Sequence, residues 1–433
     1  MTWPSSLVFG SLLLGGVSST VLPKRAFTPT VKTVTLLGNL ADPAINRDSC
    51  GSVRVGDRAF WTCRDSQPYD DSGKPTLPLW SSSASWSNFP DGKPDLLMYG
   101  GDGSRTPFFP YVEGECNDNS AGACPDGSRY ALWPDSPPLL TSNVNNVVTM
   151  YTWITKQQIN PEVSDSPART RRSILLLTML AVSECVVANA TFMGAYLRYK
   201  PTLVHCCTTC LVTVLLFSLS VNDPDPATSL YKMTYDLNNA DRNALPTTTL
   251  VSEEFWPHAS FPYGAYGSVV KDGIAYLFGK PSNGHVALAK VPVESVEDQS
   301  KYEFWVGGQW TSTLPALDDE NVVIPNVSAG GQGTYYFSDL WNKWVWIGQA
   351  GISVSADFFI TTADSITGPW EETVNFWSGE TGTYFLGAYS LQAHPGLNAA
   401  GTTTNDIYVT YTKNDEYEDT ARYSTPLIHI EWN

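Results

Sequence analysis

The sequence predicts an all-β protein, a five-bladed β-propeller, and three observations carry that prediction. A hairpin unit recurs five times along the chain. The composition is rich in turn formers and large aromatics, with 33 Gly, 30 Pro and 15 Trp. The 433 residues exceed one ordinary core and suit a ring of repeated sheets. A β-sandwich would leave the hairpin repeat, several copies of which are followed by an outer hairpin, without an explanation.

Residues 1–20 read as a secretory signal peptide. The apolar run from Leu7 to Leu14 is too short to span a bilayer and is followed by small residues. Residues 21–33 read as a short pro-segment or linker, with Lys24-Arg25 as a dibasic processing site or an ordinary solvated pair. The propeller itself spans 34–433. Its first repeat is DSCGSVRVGDRAFWTCRD (48–65), in which a tight turn joins two strands. SNVNNVVTMYTWI (142–154) is a weaker second copy. GAYGSVVKDGIAYLFGK (264–280), GQGTYYFSDLWNKWVWIGQ (331–349) and residues 389–412 complete the set. TVTLLGNL near the start and LIHIEWN at the end are the strands expected to close the ring together. Residues 165–221 interrupt this pattern with long apolar runs and with Cys185, Cys206, Cys207 and Cys210. A membrane hairpin and a Cys/His metal site are alternatives. The reading preferred is a translated intron or gene-model error, because removing the segment costs no repeat.

The first hairpin sets its own register. Gly56-Asp57 reads as a two-residue turn. Counting outward from it sets Cys50 opposite Cys63, as a cross-strand disulfide requires, and Asp48 opposite Asp65. Three pairings of Cys50, Cys63, Cys116 and Cys124 are possible. Spacing favours Cys50–Cys63 and Cys116–Cys124. An even count behind a signal peptide fits a secreted, extracellular protein. Asn326-Val-Ser is then a glycosylation acceptor.

Two carboxylates directly opposed on a sheet repel. Either one keeps its proton, or arginines and substrate hold both. Glycoside hydrolysis needs such a pair, one to protonate the leaving oxygen and one to act on the other side of the sugar. A pair of salt bridges at the rim would look the same in sequence. Arg47 and Arg64, each preceding one of these acids, are candidates for tuning charge or holding substrate. Trp61, Trp86, Trp133, Tyr263, Tyr266 and Tyr336 fall near strand ends, where they either stack on sugars or pack between blades. His394 is a candidate to orient a carboxylate or bind a hydroxyl, or is simply structural. Glu113, Glu115 and Glu254 are candidates for a third acid.

DPAINRDSCGSVRVGDRAFWTCRDS, GAYGSVVKDGIAYLFG, DSITGPW and YSLQAHP together resemble a family of secreted fungal proteins. That family is similar to five-bladed propeller glycosidases first catalogued as a domain of unknown function, a group that includes endo-arabinanases. The resemblance covers nearly all of 34–433 apart from the insertion. It implies that Asp48 and Asp65 are the catalytic pair, and that the substrate is an extracellular polysaccharide that contains arabinofuranose. Where the family has a Gly-Asp-Thr-like motif, this chain has Arg64-Asp65-Ser66. The alternative is a non-catalytic, sugar-binding or cell-wall-associated propeller.

A net charge of −17 argues against a phosphate-binding surface, which needs a basic face, so no nucleic-acid partner is expected. No stable membrane span and no oligomer are expected. No phosphate-cradling loop, dinucleotide fingerprint or His-Glu-x-x-His occurs, and no organic cofactor is expected. A structural calcium ion is compatible with the many oxygen ligands. The acidic surface disfavours encounter with polyanionic substrates.

Overall fold

The computed structural model describes residues 27–100, 107–116, 124–160, 223–351, 354–384, 386–398, 404–418 and 420–433. The signal-peptide reading, the dibasic pair and the 165–221 insertion lie outside the described residues. Five antiparallel sheets follow one another along the chain as the five blades of a propeller. Blade 1 runs Cys50–Val55, Arg58–Cys63, Ser83–Ser87. Blade 2 runs Leu139–Val144, Val147–Thr155, Thr228–Asp236, Thr247–Trp256. Blade 3 begins with Gly267–Lys271 and Ile274–Gly279, and blade 4 with Gly330–Ser338 and Lys343–Ala350. Blade 5 takes Ala388–Ala393, Ile407–Tyr417 and Thr420–Trp432 from the C-terminal region and its outermost strand, Val31–Leu40, from the N-terminal region. Leu36 pairs with Ile428 and Leu40 with Thr425, so the expected ring closure is present. Closing the ring this way ties the N-terminal strand to the C-terminal strand within one blade.

Turn chemistry explains the hairpins. Asn145 and Asn146 have φ of 53° and 65°, and Asp272-Gly273 have 53° and 77°. Positive φ at both central residues matches the twist of the flanking strands, and Asn, Asp and Gly tolerate it best. In the first hairpin Val55 pairs with Arg58 around Gly56-Asp57, and Cys50 pairs with Cys63. Both expected disulfides form, Cys50–Cys63 and Cys116–Cys124.

The apolar residues collect in five clusters, one between each pair of neighbouring blades. Phe60 and Trp86 meet Met150 and Tyr231 between blades 1 and 2. Trp153 and Trp256 meet Leu277 and Ala289 between blades 2 and 3. Phe278 stacks on Tyr335 at 3.7 Å between blades 3 and 4. Ile347 and Phe358 meet Leu391 and Val409 between blades 4 and 5. Trp61 and Ala59 meet Leu397 and Leu427 where blade 5 returns to blade 1. Gly267 belongs to this packing, because a Cβ there would lie 2.4 Å from the Tyr335 ring.

The first strand of every blade lines the central channel, and all five run the same way. The residues that lead into these strands therefore meet at one mouth. There Asp135, Tyr266 and Gln332 border a cavity of about 160 Å³. Residues further along the same strands, among them Arg54, Leu140, Val270 and Tyr336, line the opposite mouth, with about 290 Å³. Among the described residues no helix is long and apolar enough to cross a membrane.

Candidate active site at the propeller mouth

The register of the first hairpin continues past its disulfide. The Asp48 N–H donates to the Asp65 carbonyl at 2.9 Å, and the Arg64 N–H donates to the Asp48 carbonyl at 2.8 Å. The two acids face each other along the backbone, as counted from the turn. Ser49, between Asp48 and the strand, has φ of 48°. Left-handed backbone is unusual for serine and bends the chain here.

The two side chains then diverge. The Asp65 carboxylate accepts a two-pronged bond from Arg129, Nη1 to Oδ1 at 3.0 Å and Nη2 to Oδ2 at 2.6 Å. The Trp133 indole donates to Oδ1 at 2.8 Å. Both oxygens of Asp65 are thus committed. Asp48 turns toward blade 5. Its Oδ1 lies 2.6 Å from Ser49 Oγ and 3.1 Å from Thr412 Oγ1, and the Tyr389 hydroxyl also bonds the carboxyl. Burial holds the Asp48 carboxyl above the ordinary carboxylate range, against the pull of Arg64.

A third acid completes the site. Asp135 lies 3.4 Å from Arg64 Nε and accepts from Gln332 Nε2 at 3.0 Å. Burial raises its carboxyl too, opposed by Arg64 and by the Gln332 bond. Arg64 lies among all three acids and over the Trp133 ring at 4.1 Å. Burial works to lower the arginine's pKa, but Asp135, Asp48 and Asp65 outweigh it and hold the guanidinium charged.

A hydrogen-bond chain also joins Asp48 to Asp135 on the blade 4 and blade 5 side. It runs from Asp48 Oδ1 to Ser49 Oγ at 2.6 Å and from Ser49 Oγ to Ser390 Oγ at 2.5 Å. It continues from Ser390 Oγ to Gln332 Oε1, and from Gln332 Nε2 to Asp135 Oδ1 at 3.0 Å. Each hydroxyl has one proton to donate. Ser390 gives its proton to the Gln332 carbonyl, so Ser49 must give its own to Ser390. The remaining contact, Ser49 with Asp48, then needs a proton from Asp48. Reversing every bond, with the amide turned over, places that proton on Asp135 instead. The chain therefore accommodates one proton shared between two carboxyls.

The other expected residues have separate places. Arg47 points away from the acids, to Asp42 at 2.7 Å and Ser83 at 2.5 Å. Trp61, Trp86 and Tyr263 are buried between blades. The Trp61 indole donates to Ser87 and that of Trp86 to the Ala244 carbonyl. Tyr266 borders the cavity, and Tyr336 lines the opposite mouth. His394 is buried between Ser52 and Thr410, at 2.8 and 2.7 Å. Glu115 pairs with Lys156 at 3.0 Å, and Glu113 and Glu254 are exposed. Asn326 is exposed in a turn. Among the described residues no three His, Cys, Asp or Glu side chains gather as a metal site.

Sequence reading missed Arg129, Asp135, Gln332 and Ser390. One signal was available. Asp135-Ser136 precedes the first strand of blade 2 as Asp48-Ser49 precedes that of blade 1.

No family model and no curated protein matches the chain. Among solved structures it is similar to a Bacteroides ovatus protein provisionally described as a hydrolase. That match has 13% identity, a TM-score of 0.54, and covers 89% of this chain and 85% of that one. It bears on the fold alone. Two looser likenesses are an α-L-arabinofuranosidase from Podospora anserina in complex with cellotriose and a GH62 hydrolase in complex with xylotriose. They have 9% and 11% identity and TM-scores of 0.40 and 0.41. They cover 93% of this chain, and 98% and 99% of their own.

Proposed function

We propose that this protein cleaves a glycosidic bond at the propeller mouth, with Asp135 and Asp48 as the working carboxyls. One observation carries the reading. The buried Asp48 and the half-buried Asp135 flank Arg64, are joined by one hydrogen-bond chain, and Asp135 borders a cavity of about 160 Å³. That is near the ~150 Å³ that accommodates a benzene ring, room for one face of a sugar ring at the mouth rather than for an enclosed oligosaccharide. Asp135, on the cavity wall, protonates the leaving glycosidic oxygen. Asp48, buried at the other end of the hydrogen-bond chain from Asp135, takes the proton from the water that displaces it. The chain then returns that proton to Asp135: each hydroxyl passes one proton on, and Gln332 gains one on Oε1 as Nε2 releases one to Asp135, leaving an imidic acid that reverts to the amide. Asp65 gives up its expected place in the pair, because Arg129 and Trp133 occupy both its oxygens. It positions those two side chains instead. Arabinofuranose-containing polysaccharides are the first substrates to try, and export from the cell belongs to the same proposal.

The test is a panel of arabinans, arabinogalactans, galactans, xylans and fungal wall glycans. Released reducing ends are counted for the parent protein and for Asp48→Asn, Asp135→Asn and Asp65→Asn. Product from the parent, and about 10³-fold less from folded Asp135→Asn and Asp48→Asn, supports the reading. No product on any glycan, with sugar binding kept in every protein, would replace it with a non-catalytic sugar-binding propeller.

A further inference from the structure

We propose that the cavity beside Asp135 receives a sugar ring bearing a carboxylate, a uronic acid residue, with Lys280 as its counter-ion. This rests on the reading of that cavity as the sugar site.

Lys280 directly follows the blade 3 strand Ile274–Gly279 and borders the cavity. Its Nζ lies 5.2 Å from the centre of the Tyr266 ring, which borders the same space. The residue is half-buried, and among the described residues it makes no ion pair. Burial draws its pKa below the ordinary lysine value. A cation withdrawn from water without a partner is costly, and a ligand anion at that point offsets the cost.

The acids on the same wall each have donors of their own. Asp135 has Arg64 and Gln332. Asp225 accepts from the Ser282 N–H at 2.6 Å and from the Ser282 hydroxyl at 2.5 Å. Lys280 is the charged group of the cavity left for the ligand. Lining the same cavity as Asp135, it would hold the ring by its carboxylate while the glycosidic oxygen faces the acid. The chain's net charge of −17 acts on encounter, where a long polyanion is repelled. A single uronate on an otherwise neutral glycan meets both conditions.

Calorimetric titration of the full protein with D-glucuronate and D-galacturonate, against D-glucose and D-galactose, tests the idea at low salt. The better uronate should bind at least about tenfold tighter than its neutral counterpart, as a charge-assisted contact implies. Lys280→Met should bring that ratio close to one. Lys280→Arg should retain it. Thermal melts of both variants show that each is folded. Equal affinity for charged and neutral sugars, no uronate binding, or a preference that survives Lys280→Met would each overturn the inference. Hydrolysis is a separate readout. Turnover of neutral glycans without a uronate preference removes this inference and keeps the hydrolase. A uronate preference with no hydrolysis of any glycan removes the hydrolase and keeps the lysine's role.

Discussion

His394 shows what enclosure between two blades does to a titratable group. Burial drives its pKa down to about 3, so the folded protein holds it neutral across the ordinary range. Its ring nitrogens meet Ser52 of blade 1 and Thr410 of blade 5, and Trp61 packs against the ring at 4.8 Å. The histidine is a pin between blades. In the unfolded chain the same imidazole protonates near pH 6.5. Below that pH the unfolded state binds a proton that the folded state refuses, so stability falls as pH falls, down to about pH 3. The slope is at most about 1.4 kcal/mol per pH unit. Chemical denaturation at pH 7, 6, 5 and 4 should show this loss in the parent. His394→Gln should lose markedly less over the same range, whatever its starting stability. Parallel curves would mean that the histidine is not buried neutral. Asp65 offers a second test at this scale. Asp65→Asn breaks the two-pronged pair with Arg129, whose side chain is 21% exposed. A cost of roughly 2–4 kcal/mol in unfolding free energy is expected. Arg129→Met in the same background should recover part of it, because the stranded cation is then gone.

Among the elements, the strand starts matter most for chemistry. Ser49 and Ser390 both have positive φ, 48° and 55°, immediately before or within the first strands of blades 1 and 5. In blade 5 the pairing shifts register between Tyr389 and Gln392, and Ser390 lies in that shift. Such backbone costs on the order of 1–3 kcal/mol and persists where the surroundings enforce it. Here it brings two hydroxyls to the same gap between the acids. Ser390→Ala removes the middle of the proton chain while leaving Asp48, Asp135 and Arg64 in place. If the chain resets the acids, kcat on the best glycan should fall about 10- to 100-fold with KM changed less than twofold. An unchanged kcat would sink the relay. These two kinks also mark the limit of what the sequence reveals. The turn residues Gly56-Asp57, Asn145-Asn146 and Asp272-Gly273 announce their hairpins locally, and register counting from one of them foretold both Cys50–Cys63 and the opposition of Asp48 to Asp65. Side-chain direction does not follow from register. Whether Asp65 turns to the cavity or to Arg129 depends on residues 64 positions away. Gln332 and Ser390 reach Asp135 and Asp48 only because the ring closes.

At the scale of the whole molecule, the ring is continuous across the chain positions that flank residues 165–221. The strands on either side are direct neighbours in blade 2, with Thr155 paired to Thr228 and Tyr151 to Lys232. Lys156 N–H donates to the Ala227 carbonyl at 2.9 Å, so the two chain ends approach within one hydrogen bond where they leave the sheet. Gln157–Ile159 then pairs with Arg129–Ala131, and Asp225 anchors to Ser282 in blade 3. Among the described residues, these contacts on either side of 165–221 fix this corner of the mouth. Joining 164 to 222 leaves enough chain to connect adjacent antiparallel strands, which need only a few residues. The shorter loop also closes at lower entropic cost, by about 1.5 kcal/mol. The deletion protein should therefore express as a soluble, cooperatively unfolding propeller at least as stable as the full chain. It should keep the Cys50–Cys63 and Cys116–Cys124 disulfides and whatever glycan activity the full chain has. Mass mapping of the disulfides, a thermal melt and the glycan panel measure those three properties. A deletion protein that fails to fold while the full chain folds would show that the segment belongs to the ring, and would end the reading of it as translated intron.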